Sequence, residues 1–266
     1  MSVAIVIPAR YASSRYPGKP LVGLKGADGV SKSLVRRTWE AARALARSED
    51  IFVATDDERI AAVAAGFGAQ VAMTSPDCRN GTERCAEALV QLPAQTEIVV
   101  NLQGDAPLTP PWFLEDLIAA MKADPTIQAA TPVLRCDGAT LAAFRADRAA
   151  GRVGGTTAVF AVSGDALYFS KEVIPFDTGT YATDAPTPVF HHVGVYAYRS
   201  EALRRYAGWP EGVLETREGL EQLRFLENGV ALRCVEVEAR GRQFWELNNP
   251  EDVPRLEAMM ADMDLT

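Results

Sequence analysis

Residues Val3 to Ile7 (Val-Ala-Ile-Val-Ile) form an unbroken apolar run that Pro8 cuts off. A run with no polar alternation reads as a parallel strand covered on both faces. Proline has no N–H for the ladder, so the backbone is expected to leave the sheet at Pro8. Just beyond it, Arg10-Tyr-Ala-Ser-Ser-Arg15-Tyr-Pro-Gly-Lys19-Pro20 reads as a loop carrying three cations. In an open α/β sheet, ligands bind beyond the carboxyl ends of the strands. Arg10, Arg15 and Lys19 should therefore collect where a polyanion sits. Forked guanidinium donors and a compact ammonium together suit a triphosphate; the plainer alternative is a solvated basic loop. The chain has no G-x-x-x-x-G-K-[ST], so this is not a Walker loop.

Three further strand-like runs, Ile51–Ala54, Gln70–Thr74 and Glu97–Leu102, alternate with helical patterns. Leu34, Val35, Trp39, Ala42 and Leu45 recur at helical spacing; Glu58–Ala65, Glu83–Leu92 and Pro111–Lys122 give further helices. This alternation predicts an α/β fold, a doubly wound and mostly parallel sheet. The second half reads differently. Thr157–Val162, Phe190–Tyr198 and Arg233–Val237 look like strands, Leu214–Glu227 like one helix, and Leu141–Arg152 like a helix and surface loop. The long aromatic run Phe190–Tyr198 suits a smaller antiparallel lobe. The expectation is a single domain over 1–266, with the α/β part over 1–135 and a substrate and subunit-contact lobe over 153–240.

At 266 residues and 48% hydrophobic, the chain can bury one large α/β core. Its net charge of −8 disfavours non-specific binding to nucleic acid or anionic membranes. Cys78, Cys85, Cys136 and Cys234 have no C-x-x-C spacing and read as reduced, mostly buried thiols in a cytoplasmic protein. Neither a signal-peptide pattern nor an 18-residue apolar run is seen.

Two more segments carry chemistry. Asn101-Leu102-Gln103-Gly104-Asp105-Ala106-Pro107 comes after the apolar Ile98-Val99-Val100. Asp105 at that strand end faces the same crevice as the basic loop. Magnesium takes one or two carboxylates plus phosphate oxygens and water, so Asp105 fits a metal–nucleotide complex; a turn aspartate bonding its own backbone is the alternative. Gln103 shares its side of the chain if extension persists. Asn80-Gly81-Thr82-Glu83-Arg84 precedes an alanine-rich helix, where Asn80 or Thr82 can cap and free N–H groups can hold an anion or a base carbonyl. Capping does not account for Arg84. Ordinary N-capping suffices for Thr55-Asp56-Asp57.

These pieces occur together in one family. The chain resembles 3-deoxy-manno-octulosonate cytidylyltransferases, the CMP-Kdo synthetases of lipopolysaccharide and capsule biosynthesis. The likeness runs through the basic loop to Leu21, Val-Ala-Thr-Asp (53–56), Gly-Thr-Glu-Arg (81–84) and Asn-Leu-Gln-Gly-Asp-Ala-Pro (101–107). It continues in Ala-Leu-Tyr-Phe-Ser (166–170), His-Val-Gly-Val-Tyr (192–196), Leu-Glu-Gln-Leu-Arg (220–224) and Pro-Glu-Asp-Val (250–253). The resemblance implies a transferase in which a 2-keto sugar acid attacks the α-phosphorus of CTP and pyrophosphate leaves. It implies Arg10, Ser13, Arg15 and Lys19 at the triphosphate, with Lys19, Arg15 and Asp105 catalytic, and Gly81, Thr82 and Arg84 at the cytidine. Gln103, His192, Tyr196, Glu221 and Gln222 fall to the acceptor, Asp105 to Mg2+, and a homodimer is implied with contacts in Tyr168–Tyr198. Adjacent His191 and His192 point to opposite faces of a strand and make no paired metal site.

The chain departs from the family at several places. The family's second metal-binding aspartate falls on Asn248, within Trp245-Glu246-Leu247-Asn248-Asn249. An amide can ligate magnesium but brings no charge. Either Glu246, two residues earlier and on the same face if extended, restores the carboxylate, or water simply replaces it. Ala106 stands where glutamate is typical, Thr157 where lysine is common and His191 where arginine is common. The acceptor is then Kdo, a modified Kdo, another 2-keto sugar acid or a phosphonate. The insertion Lys25–Lys32 reads as a surface loop. A glycosyltransferase is disfavoured because the only Asp-x-Asp is Asp262-Met-Asp264 in the C-terminal tail. A dinucleotide oxidoreductase lacks its G-x-G-x-x-G. A non-catalytic nucleotide-binding relative stays open because of Asn248.

Overall fold

The computed structural model describes residues 1–13, 15–45, 51–153, 155–243 and 245–266. Ser14 of the basic loop lies outside them. Strand β1 (Ser2–Pro8) ends at the proline, and the chain then makes a hairpin of β2 (Gly23–Lys25) and β3 (Ser31–Ser33). Next come α1 (Leu34–Arg43), β4 (Ile51–Thr55), α2 (Glu58–Gly66), β5 (Gln70–Met73), α3 (Gly81–Ala88), β6 (Thr96–Leu102) and α4 (Pro111–Ala123). The second half holds β7 (Ala129–Asp137), α5 (Gly138–Ala149), β8 (Thr156–Phe160), β9 (Ala166–Ser170), β10 (Pro186–His192), β11 (Val195–Arg199) and α6 (Ser200–Gly208). Short helices α7 (Val213–Glu218) and α8 (Leu223–Glu227) precede β12 (Leu232–Val237) and α9 (Asp252–Asp262).

Ten strands form one sheet in the order β5-β4-β1-β6-β11-β7-β10-β8-β9, with β12 also paired to β7. The pairs β5–β4, β4–β1, β1–β6 and β7–β12 are parallel. The antiparallel portion is continuous with the parallel one through β11, which pairs β6 on one edge and β7 on the other. Alternate residues of β1 feed opposite layers. Ala4 and Val6 join a core with Val99, Cys85, Leu203 and Phe225, while Ile5 and Ile7 join one with Val35, Val53, Val100, Phe113 and Leu117. Each fully buried aliphatic side chain of this kind contributes about 1.5–3 kcal/mol relative to exposure, so both faces must be covered. A doubly wound fold is the result.

Several elements differ from the sequence reading. Phe190–Tyr198 is two strands, because the chain breaks at Val193-Gly194 while running along one edge of β7; β10 then turns its free edge to β8, and β11 to β6. Leu214–Glu227 is likewise two helices, split at Gly219, whose φ of 62° is left-handed and ends a helical run without Cβ strain. Strand β7, central to the sheet, strand β9 and helix α6 have no counterpart in the sequence reading. The Lys25–Lys32 insertion has its ends in β2 and β3, and residues 26–30 form the loop that joins them. Arg37 clamps it through Leu24 O and Val30 O, and Ala27 N donates to Leu265 O.

Candidate active site

After β1 the chain goes out to β4 and β5 and returns to β6 on the other side of β1. That reversal makes the crevice between β1 and β6 a topological switch point, where α/β sheets bind ligands. A cleft of about 200 Å³ opens there. It is lined by Arg10, Ser13, Arg15 and Lys19 from the loop after β1, Asn80, Gly81 and Arg84 at the start of α3, and Gln103, Gly104 and Asp105 after β6. Gly104 is required by close approach: a Cβ there would stand 2.5 Å from Pro8 O. The missing side chain lets the turn carrying Asp105 press against the end of β1.

Lys19 Nζ lies 2.5 Å from Asp105 Oδ2, across the cleft from loop to turn. The segment Trp245–Asn249 docks on the same turn, with Leu247 N donating to Asp105 O at 2.9 Å. Arg15 Nη2 donates to Asn248 Oδ1 at 2.9 Å. Burial and the neighbouring Asp105 carboxylate push the Glu246 carboxyl up to about 7, against the opposing pull of Lys19, Asn248 and Arg15. Two carboxylates, one amide oxygen and two cations are therefore grouped around the Asp105 turn, with Asp105, Lys19 and Arg15 lining the cleft and Glu246 and Asn248 outside its lining.

Asn80 caps α3 by accepting from Glu83 N. The Thr82 N–H donates to Glu221 Oε2 at 3.0 Å, so an internal carboxylate holds this helix end. Glu221 Oε1 accepts from Gln103 Nε2 at 3.1 Å and orients that amide at the cleft wall. Burial raises the Glu221 carboxyl above its ordinary value. The Thr82 side chain turns inward to Tyr198 Oη at 2.8 Å. Arg84, only 2% exposed, pairs with Asp56 at 3.2 Å and Thr74 at 2.5 Å while still lining the cleft. Asp56 is thus more than the turn residue that capping explains; Asp57 does the capping. The sequence signal was its place after a buried strand.

His192, Tyr196 and Gln222 are buried behind this wall and bonded to one another. Tyr196 Oη donates to Gln222 Oε1 at 3.1 Å, Gln222 Nε2 stands 3.5 Å from His192 Nδ1, and Thr131 Oγ1 is 3.0 Å from His192 Nε2. Burial pushes His192 down to about 3, so it is neutral. Neither these three nor Thr82, Glu221, Glu246 and Asn248 are among the side chains lining the cleft, although Glu221 and Asn248 touch ones that are. Thr157 is saturated by Glu172 O and Ile174 N, and His191 packs edge-on to Phe144.

A cytidylyltransferase family model matches residues 4–236. The chain belongs to the cytidylyltransferase family. As a cytidylyltransferase it is a nucleotidyltransferase enzyme. It is 44% identical to a 3-deoxy-manno-octulosonate cytidylyltransferase of Maricaulis maris over 98% of both chains. An 8-amino-3,8-dideoxy-manno-octulosonate cytidylyltransferase of Shewanella halifaxensis is 39% identical over 98% of this chain and 99% of its own. A solved CMP:2-keto-3-deoxy-manno-octonic acid synthetase complexed with CTP superposes with a TM-score of 0.83. It is 34% identical, over 99% of this cytidylyltransferase and all of its own chain. No helix among the described residues is long and apolar enough to cross a membrane.

Proposed function

We propose that the chain couples CTP to 3-deoxy-manno-octulosonate, releasing pyrophosphate and forming the CMP-sugar. The observation that carries this reading is the meeting of the basic loop and the Asp105 turn over one cleft, with Lys19 and Asp105 in contact. The CTP complex of the superposed synthetase and the names of the full-length relatives support it. Arg10, Ser13, Arg15 and Lys19 bind the triphosphate, and the N-terminal turn of α3 with Gly81, Thr82 and Arg84 forms the nucleoside end. Residues 1–135 serve the nucleotide and 153–240 the acceptor and the subunit contact.

Asp105, Glu246 and Asn248 are hard oxygen donors gathered in one place. Among the described residues no three His, Cys, Asp or Glu side chains cluster as a metal cage. Magnesium asks for one or two carboxylates and completes its shell with phosphate and water, so this donor set fits Mg2+. When bound, the ion neutralises phosphate charge and lowers the pKa of an attacking hydroxyl.

Phosphoryl transfer is governed by in-line positioning and charge neutralisation. Lys19 and Arg15 hold the phosphates and offset the charge that builds on the pyrophosphate. Gln103, fixed by Glu221, donates to or accepts from the acceptor acid, and the His192–Gln222–Tyr196 chain backs that wall. The chain pairs as a homodimer through contacts in Tyr168–Tyr198, where Phe176 is 91% accessible. The chain acts in the cytoplasm, where CTP and magnesium are at hand.

A second reading, transfer to an amino-bearing analogue, is favoured by the name of the Shewanella relative. Pyrophosphate release from each of four NTPs, against Kdo, amino-Kdo, sialic acid and phosphonoformate with Mg2+, separates the readings. Turnover with CTP and Kdo is expected; preference for amino-Kdo supports the second reading. CTP binding without release on any acceptor would leave only a nucleotide-binding relative.

A further inference from the structure

Resting on the magnesium–nucleotide reading above, we propose that Glu246 supplies the second carboxylate to the bound cation. Asn248 acts as a positioning residue tying Glu246 to Arg15. The negative charge has moved two residues along the chain, and the amide left at 248 has taken up a different task.

The backbone fixes the register. Leu247 N donates to Asp105 O, and the Leu247 side chain is fully buried with Leu256 and Met260 in a separate apolar cluster. Trp245 packs against the same cluster, whereas the Asn248 side chain bonds to Arg15 and the Glu246 carboxylate lies by Gly194, so positions 246 and 248 are spent outside that cluster. Glu246 has Asp105, Lys19 and Arg15 as its charged surroundings. A Cβ on Gly194 would be 3.4 Å from Glu246 Oε1, and the bare glycine keeps that side of the carboxylate uncrowded. Asp105 and Glu246 are balanced by Lys19 and Arg15; once phosphate engages those two cations, the carboxylate pair is left to a dication.

The Asn248 oxygen accepts from Arg15 at 2.9 Å, and its side chain opposes the rise that burial gives the Glu246 carboxyl. An aspartate at 248 has no donor and would set a like charge against Glu246. Glutamate at 246 and asparagine at 248 are therefore matched: one carries charge, the other links it to a phosphate-binding arginine.

The test titrates Mn(II) into full-length protein, with and without CTP, counting free ion by electron paramagnetic resonance. Glu246→Gln, which keeps shape, is expected to weaken Mn(II) binding roughly 10- to 100-fold, as loss of a supporting ligand group does. Glu246→Gln with Asn248→Asp should regain most of that affinity, because the charge returns to the other position on the same face. Wild-type Mn(II) affinity in Glu246→Gln, with loss in Asp105→Asn, would overturn the assignment of Glu246 while leaving the cation at Asp105. Undiminished affinity in Asp105→Asn as well would overturn the magnesium reading itself. Failure of the double variant to regain affinity, with its thermal melt unchanged, would remove Asn248 from the matched pair.

Discussion

Lys19 and Asp105 are only 13% and 25% exposed at the side chain, so their attraction is screened less than that of a surface pair. On the proposed reading, each exchanges the other for a stronger partner, phosphate for the lysine and a cation for the aspartate, and removing Lys19 takes a donor from the charge that develops on pyrophosphate. Lys19→Ala should lower kcat about 10²- to 10³-fold, the usual cost of one such donor, measured as steady-state pyrophosphate release at saturating CTP. A loss under about threefold, small beside that cost, would take Lys19 out of the chemistry. At this scale the sequence was most legible. Arg10, Arg15, Lys19, Arg84, Gln103 and Asp105 line one cleft because each sits just past a buried strand or at a helix start. The role of Asp56 was hidden, since a capping turn already explained the local pattern and only folding brings Arg84 to it.

Among the elements, the segment 245–249 has no regular structure, yet it presents Glu246 and Asn248 to the site. Asp252 at the start of α9 holds it, accepting from Asn248 N at 2.9 Å, Asn249 N at 2.7 Å and Trp245 Nε1 at 3.0 Å. Asp252→Ala strands these donors and should cost about 1–3 kcal/mol, read as a lower urea midpoint, with weakened magnesium dependence alongside. Unchanged magnesium dependence would show that the segment is held by other means. Elements carried by long apolar periodicity were read correctly; those set by tertiary pairing were not. Pro132 and the alanines of β7 lower its strand signal, but its place between β12 and β10/β11 overrides propensity. The break at Val193-Gly194 comes from the sheet's need to give β10 and β11 different outer neighbours, which no local pattern encodes.

For the whole molecule, the buried histidines set an acid limit. Burial holds His192 down to about 3 and His191 to about 4, whereas unfolded histidine titrates near 6.5. Between those values the unfolded chain binds more protons, so stability falls as pH drops below about 6.5, by about 1.4 kcal/mol per unit for each histidine. Urea unfolding at pH 7 and 5 should show a smaller loss in His192→Gln than in wild type; equal losses would contradict a neutral buried imidazole. The proposed homodimer is checked by light scattering, where Phe176→Asp should give a monomer; an unchanged mass would take Phe176 out of the contact. The parallel half was legible because β1, β4 and β6 are buried on both faces, while the continuity of the antiparallel half with it depends on the single bridging strand β11. The most direct measurement is a crystal structure with CTP and magnesium. The account predicts the triphosphate between Arg10, Arg15 and Lys19, with the ion on Asp105 and the Lys19–Asp105 contact opened. A nucleotide bound elsewhere, with that contact intact, would contradict it.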